Sequence, residues 1–190
     1  MSRVFVVTGP CGAGKSTLCA RVSDEVARRG FRVGGVITER VEASAVFPVQ
    51  TDDRHLFDLA TGERVVFGRR DVVAPPIGDP LTPGWQFGGE AFAFADKAIV
   101  AAADADLLVV DEVGPLELRG ARGFTAAVPI LAAARFRAAL VVCRPELLEE
   151  LEVALHRRVE SRVFALTAEN RSDMVPMAAE ELLGTLSFSG

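Results

Sequence analysis

Val7-Thr8-Gly9-Pro10-Cys11-Gly12-Ala13-Gly14-Lys15-Ser16-Thr17, VTGPCGAGKST in one-letter form, decides how the chain is read. Gly9, Gly14, Lys15 and Ser16 fit G-x-x-x-x-G-K-[ST], directly after the apolar run Val4 to Val7. A loop that wraps phosphates must turn several backbone N–H groups inward, through dihedrals that side chains obstruct and glycine permits. Pro10, Cys11, Gly12 and Ala13 fill the positions between the outer glycines, and Cys11 is read as a small residue tolerated there. Behind the loop, Leu18, Val22 and Val26 recur on one helical face, with Arg28 and Arg29 in the last turn and Gly30 as the stop. The phosphates would therefore meet a helix N-terminus, where unpaired N–H groups and the positive dipole end favour an anion. Lys15 adds a cation near the β- and γ-phosphates, and the Ser16 hydroxyl can ligate Mg²⁺; Thr17 completes the site.

Working outward, apolar runs at Val4–Val7, Val33–Ile37, Leu107–Val110, Leu140–Cys143 and Val163–Leu166 are near-continuous, as strands buried on both faces require. Helices are expected at Lys15–Arg29, Gly89–Ala103, Arg122–Arg135, Pro145–Arg158 and Asp173–Leu183. This alternation predicts an α/β fold with a mostly parallel sheet and helices on both faces. The segment 39–88 breaks the rhythm. HLFDLATGERVVFGRR reads as two strands around a Thr61-Gly62 turn, and APPIGDPLTPGWQFGG as a mobile loop. It is either a surface excursion or a lid over a ligand, and Trp85 within it is either a plug on the core or a stacking surface.

The 190 residues fit one domain spanning 1–190, and 49% hydrophobic content supports a sizeable core. A net charge of -5 argues against nucleic acid or an anionic membrane as the main partner, and the pairs Arg69-Arg70 and Arg157-Arg158 read as solvated faces. Cys11, Cys19 and Cys143 have neither C-x-x-C spacing nor clustered histidines, so a reduced cytoplasmic setting is expected, with neither disulfide nor zinc. The N-terminus enters a strand at once, and Asp104 and Asp106 interrupt the most apolar stretch, which argues against export or membrane insertion.

LLVVDEVGP supplies the acid that a phosphate loop needs opposite it. Four apolar residues end in Asp111, the Walker B arrangement that reaches Mg²⁺, and Glu112 follows in position to orient an attacking water. The metal set is thus Ser16 and Asp111, and the catalytic pair Lys15 and Glu112.

GPCGAGKST, VITERVE, VVDEVGPLEL and LTAENRSDM, in this order and across nearly the whole chain, resemble the small P-loop nucleoside-triphosphatase family that includes the thermophile and human cancer-related nucleoside-triphosphatases. The Asp-Glu-hydrophobic-Gly-Pro-hydrophobic-Glu-Leu string is its most specific element. The resemblance implies a RecA-like ATPase core that hydrolyses nucleoside triphosphates with broad base tolerance and Mg²⁺ dependence. One departure is Arg40, where the family more often carries a second acid followed by Arg. Competing parses remain. Asp111 to Gly114 also matches D-x-x-G, and Asn170-Arg171-Ser172-Asp173 resembles the guanine-reading N-K-x-D, which together would suit a GTPase-like switch. Asp173 has a plain alternative as N-cap of the last helix. A small-molecule kinase would need an acceptor pocket and a lid from residues 39–88, and a passive nucleotide binder would retain nucleotide without turnover. Arg171 is the candidate for a cis arginine acting on developing charge or stacking on the base.

Overall fold

The computed structural model describes residues 2–41, 51–71, 80–155 and 159–187. In chain order the elements are β1 (Arg3–Thr8), α1 (Lys15–Arg28), β2 (Val33–Arg40), β3 (Thr51–Asp58), β4 (Arg64–Asp71), β5 (Trp85–Phe87), α2 (Ala91–Ala101), β6 (Leu107–Val113), α3 (Pro115–Leu118), α4 (Ala127–Ala133), β7 (Ala138–Cys143), α5 (Leu148–Ala154), β8 (Glu160–Ala165) and α6 (Arg171–Ser187). Among the described residues the strands form one eight-stranded sheet in the order β5-β4-β3-β2-β6-β7-β1-β8. From β2 to β8 the neighbours run parallel, whereas β3, β4 and β5 are antiparallel additions.

Strand alternation divides the apolar residues between two layers. Val4, Val6, Leu108, Val110, Ala139 and Val141 face α2, α4 and α5, packing with Ala95, Ile99, Leu131 and Leu151. Their neighbours Phe5, Val7, Leu107, Val109, Leu140 and Val142 face α1 and α6, packing with Leu18, Val22, Val26, Ala178 and Leu182. Both faces of the central strands are thus covered, which is why these strands read as unbroken apolar runs. Among the described residues no helix is long and apolar enough to cross a membrane.

This topology sets the site. β7 lies between β1, which feeds the phosphate loop, and β6, which ends in the acidic pair. The carboxyl ends of β2, β6, β7, β1 and β8 share one edge, where ligands bind in open α/β sheets.

Several expectations change. The 39–88 hairpin extends the main sheet, because β3 pairs with β2 from Val36↔Asp58 to Arg40↔Arg54, and β4 and β5 continue outward. Leu56 is fully buried there. Part of the expected mobile loop, 74–79, lies outside the described residues, as do Arg157 and Arg158. Trp85 stacks on Phe87 at 6.0 Å and 7°, and Phe67 joins them, so the ring packs within an aromatic cluster. The helix expected from Arg122 begins only at Ala127: Gly123 takes φ +73, and the Asp96 carboxylate accepts the Ala126 N–H and the Thr125 hydroxyl ahead of the first turn. The helix expected from Pro145 opens as a 3-10 turn, Pro145–Leu147, and α5 ends at Ala154. α6 begins at Arg171, which places Asp173 inside its first turn and not at the N-cap; Met174, Ala178 and Leu182 do share its buried face.

Candidate nucleotide-binding site

Gly9, Gly12 and Gly14 all have positive φ. At Gly9 (φ +144) the reason is spatial as well, since a Cβ would lie 2.2 Å from the Leu166 carbonyl oxygen. The loop is therefore seated against the connection from β8 to α6. Gly14 caps α1 in the left-handed conformation with no side-chain hydrogen bond, and the first turn carries no acid. The N–H groups of a helix's first turn lack intrahelical partners, and with no side-chain cap bond here they are the donors an anion would use. Lys15 Nζ donates to the carbonyls of Gly9 at 2.8 Å and Pro10 at 2.9 Å, folded along the rim of the loop.

Across the loop, Asp111 is 2% exposed. Burial pushes its carboxyl up to about 6, against hydrogen bonds from the Ser16 hydroxyl and the Thr38 N–H; the Glu112 charge adds to the rise and Lys15 opposes it. Thr38 fastens both ends of this residue. Its N–H donates to Asp111 Oδ2 at 3.1 Å and its hydroxyl to the Asp111 carbonyl at 2.7 Å. The β6–β7 register passes from Val110↔Val141 to Val113↔Cys143, so β6 holds one extra residue at the acidic pair. Such a bulge re-aims side chains, and here two consecutive acids serve one edge of the sheet.

Glu112 meets a residue that sequence analysis did not single out. Arg144, directly after β7, donates from Nε to Glu112 Oε1 at 2.7 Å. Burial works against the Arg144 charge, but the adjacent Glu112 carboxylate outweighs it and holds the guanidinium above its ordinary range. Gly114, grouped with the nucleotide-binding residues from sequence, gives its N–H to Glu117 Oε2 at 2.8 Å, while Glu117 Oε1 accepts the Phe124 N–H at 2.9 Å. Burial raises the Glu117 carboxyl despite these donors. A Cβ on Gly123 would lie 1.9 Å from Glu117 Oε1, so glycine makes room for the carboxylate. Glu117 thus ties the end of β6 to the turn before α4.

Asn170 spends its amide on its own turn. Oδ1 accepts the Thr167 N–H at 2.8 Å and Nδ2 donates to the Ala165 carbonyl at 2.9 Å. Arg171 is exposed on the first turn of α6 and, among the described residues, makes no hydrogen bond with the loop or the acidic pair. Cys11 is exposed in the loop, whereas burial keeps Cys19 and Cys143 protonated, Cys143 at about 12. Arg40 is exposed at the outer end of β2.

Hence Lys15, Ser16, Asp111 and Glu112 do converge, and the structure adds Thr38 and Arg144. Each addition carried a faint signal: a polar residue directly after an apolar run, Thr38 after Val36-Ile37 and Arg144 after Val141-Val142-Cys143. A carboxylate and a hydroxyl form a hard oxygen set suited to Mg²⁺, which is held by few protein ligands together with substrate phosphates. Among the described residues no cluster of three or more His, Cys, Asp or Glu could cage a metal by itself.

A family model described as NTPase matches residues 4–178. The chain belongs to this NTPase family. This NTPase is similar to the nucleoside-triphosphatase THEP1 of Pyrococcus abyssi, 29% identical over 198 residues that cover 98% of this chain and 97% of that protein. It is also similar to the nucleoside-triphosphatase THEP1 of Methanosarcina barkeri, 32% identical over 131 residues, 67% of this chain and 68% of that one. The solution structure of a human cancer-related nucleoside triphosphatase shares the fold with a TM-score of 0.67 at 23% identity, over 96% of this chain and 98% of that one. The crystal structure of THEP1 from Aquifex aeolicus does so with a TM-score of 0.64 at 19% identity, over 96% and 99%. The expected family and the expected P-loop α/β fold are both borne out.

Proposed function

We propose that this NTPase carries out Mg²⁺-dependent hydrolysis of nucleoside triphosphates, ATP and also GTP and others, to diphosphate and phosphate. The observation that carries the reading is the buried Asp111 carboxylate, held by Thr38 and close enough to the Ser16 hydroxyl of the phosphate loop to be stabilised by it, with Glu112 at the next position. The names of the relatives, nucleoside-triphosphatases, support the reaction class. Free cysteines fit a reduced cytoplasmic setting.

Triphosphate would enter along the loop amides and the α1 N-terminus, and Lys15 would exchange the Gly9 and Pro10 carbonyls for β- and γ-oxygens. Ser16 and Asp111 would hold Mg²⁺, which when bound neutralises phosphate charge. Thr38 fixes the Asp111 carboxylate and backbone in place. Glu112 would accept a hydrogen bond from water and take up its proton. The water oxygen bonds to the γ-phosphorus, and the bond to the β–γ bridging oxygen breaks, leaving its electron pair on the diphosphate. Because Asn170 commits both ends of its amide to its own turn, guanine reading through 170–173 has less support than hydrolysis without base selection.

The test is phosphate release from ATP, GTP, CTP and UTP, with and without candidate acceptors, for the protein and its Glu112→Gln variant. Acceptor-independent release is expected, with kcat lowered about 10²-fold by the substitution and ATP affinity kept, the usual scale for a positioned acid or base. Strict acceptor dependence would make the protein a kinase, and an unchanged kcat would remove Glu112 from the mechanism.

A further inference from the structure

Arg144 is a charged residue ending a strand, β7, whose six residues are all buried. Its backbone is fixed on both sides, by β7 before it and by the Pro145–Leu147 turn after it, whose Leu147 N–H donates to the Arg144 carbonyl at 3.0 Å. Because β7 separates β1 from β6, this strand end opens between the phosphate loop and the acidic pair. The acidic pair registers on it directly, since Glu112 accepts its Nε–H at 2.7 Å, and the Glu146 carboxylate of the following turn also acts on its charge. Among the described residues the guanidinium makes no other hydrogen bond or ion pair. Its two Nη groups therefore remain as donors, on a fork whose third nitrogen is already oriented by the carboxylate assigned to the water.

We propose that Arg144 is a catalytic residue that donates from its Nη groups to the γ-phosphoryl oxygens as the bond to the β–γ bridging oxygen breaks, with Glu112 holding the fork in place. This rests on the hydrolase reading above. A group bonded to the water-orienting carboxylate lies at the terminal phosphate by geometry, since that water must reach the γ-phosphorus. Charge makes the same demand: as the phosphoryl group loosens, negative charge spreads over its oxygens, and a planar cation with several donors is the side chain best matched to it. Lys15 brings a single point charge shared between β- and γ-oxygens, without the planar fork of a guanidinium. Arg171, the arginine favoured from sequence, starts α6 after β8, which lies on the opposite side of β1 from β7, and among the described residues it makes no hydrogen bond with the acidic pair.

An arginine acting only in the transition state separates turnover from ground-state binding. Phosphate release by the unaltered protein comes first; without it the hydrolase reading fails, and Arg144 is not yet at issue. Given that release, Arg144→Ala and Arg144→Lys are expected to keep the affinity for a non-hydrolysable ATP analogue within about threefold while kcat falls about 10³-fold, the scale of such arginines. Trapping of Mg²⁺ and ADP with aluminium fluoride, which mimics the transferring phosphoryl group, is expected to fail in both variants, and retained analogue binding certifies their fold. The double variant Glu112→Gln/Arg144→Ala separates direct action from mere support of Glu112. A further loss beyond Glu112→Gln alone supports contact with phosphate. A double variant no slower than Glu112→Gln, aluminium-fluoride trapping by Arg144→Ala, or a kcat within threefold of normal would each overturn the proposal.

Discussion

Replacing Glu117 by glutamine or alanine tests how the tip of β6 is held. The carboxylate accepts two backbone N–H groups, Gly114 at 2.8 Å and Phe124 at 2.9 Å, and is part-buried with them. Glutamine keeps the shape but turns an NH₂ toward one of those donors, and stranding one buried donor costs about 1–3 kcal/mol. Burial of the charge offsets part of this. Because the folded-state carboxyl is raised, the ionisable side chain's contribution is complete below the ordinary glutamate range and is lost as pH rises through the raised value. The net cost of Glu117→Gln is therefore smaller at pH 7 than at pH 4, roughly 1–2 kcal/mol at pH 7. Alanine strands both donors and leaves a void, which amounts to about 3–5 kcal/mol. For a chain of this size 1 kcal/mol shifts Tm by roughly 2–4 °C, so at pH 7 alanine should lower Tm by roughly 6–20 °C and glutamine by roughly 2–8 °C. Thermal unfolding followed by circular dichroism at pH 4 and pH 7 measures both, and amide exchange at Gly114 and Phe124 locates the effect. An alanine variant melting within 2 °C of the parent, or a glutamine cost that grows with pH, would refute the reasoning.

Three further outcomes are expected. Lys15→Ala should abolish turnover and weaken triphosphate more than diphosphate in calorimetry, with the melting curve unchanged, because its ammonium bonds only to loop carbonyls. Asp173→Asn should alter GTP and ATP affinity equally, since Asp173 is exposed in the first turn of α6; a selective loss for GTP would restore the guanine-reading alternative. Gly9→Ala should lose nucleotide binding and several degrees of Tm, because its Cβ meets the Leu166 carbonyl at 2.2 Å and backbone at φ +144 is strained for alanine; a crystal structure with an undisturbed loop would contradict this.

What could be read from the amino acids was what is local. The phosphate loop, α1 and the acidic pair lie within short windows whose spacing is fixed by their chemistry, and each stands where the motifs require. The antiparallel half of the sheet was read as an excursion because its decisive pairing, β2 with β3, is set by the register from Val36↔Asp58 to Arg40↔Arg54 and by the burial of Leu56, neither of which a single window contains. Arg144 was missed for a related reason. Nothing links it to Glu112 until β6 and β7 pair side by side and the bulge aligns Val113 with Cys143. Glu117 was legible in principle, since Gly-Pro-x-Glu has the spacing at which an N3 acid caps the backbone of the residue before a helix.

The position of β1 in the sheet governs when the protein can first bind anything. Its two neighbours are β7 and β8, so Arg3 to Val7 pair with residues 138–142 on one side and, with Thr8 added, with 160–165 on the other. The phosphate loop leans on Leu166. Synthesis runs in chain order: the strand that carries the loop emerges before both of its partners and stays without either until β7 and then β8 have been made. Closing such distant pairs is the slow part of assembling a parallel sheet. Nucleotide therefore has no formed site to stabilise in a chain that stops before β8, and ligand-assisted folding begins only after β8 has been made.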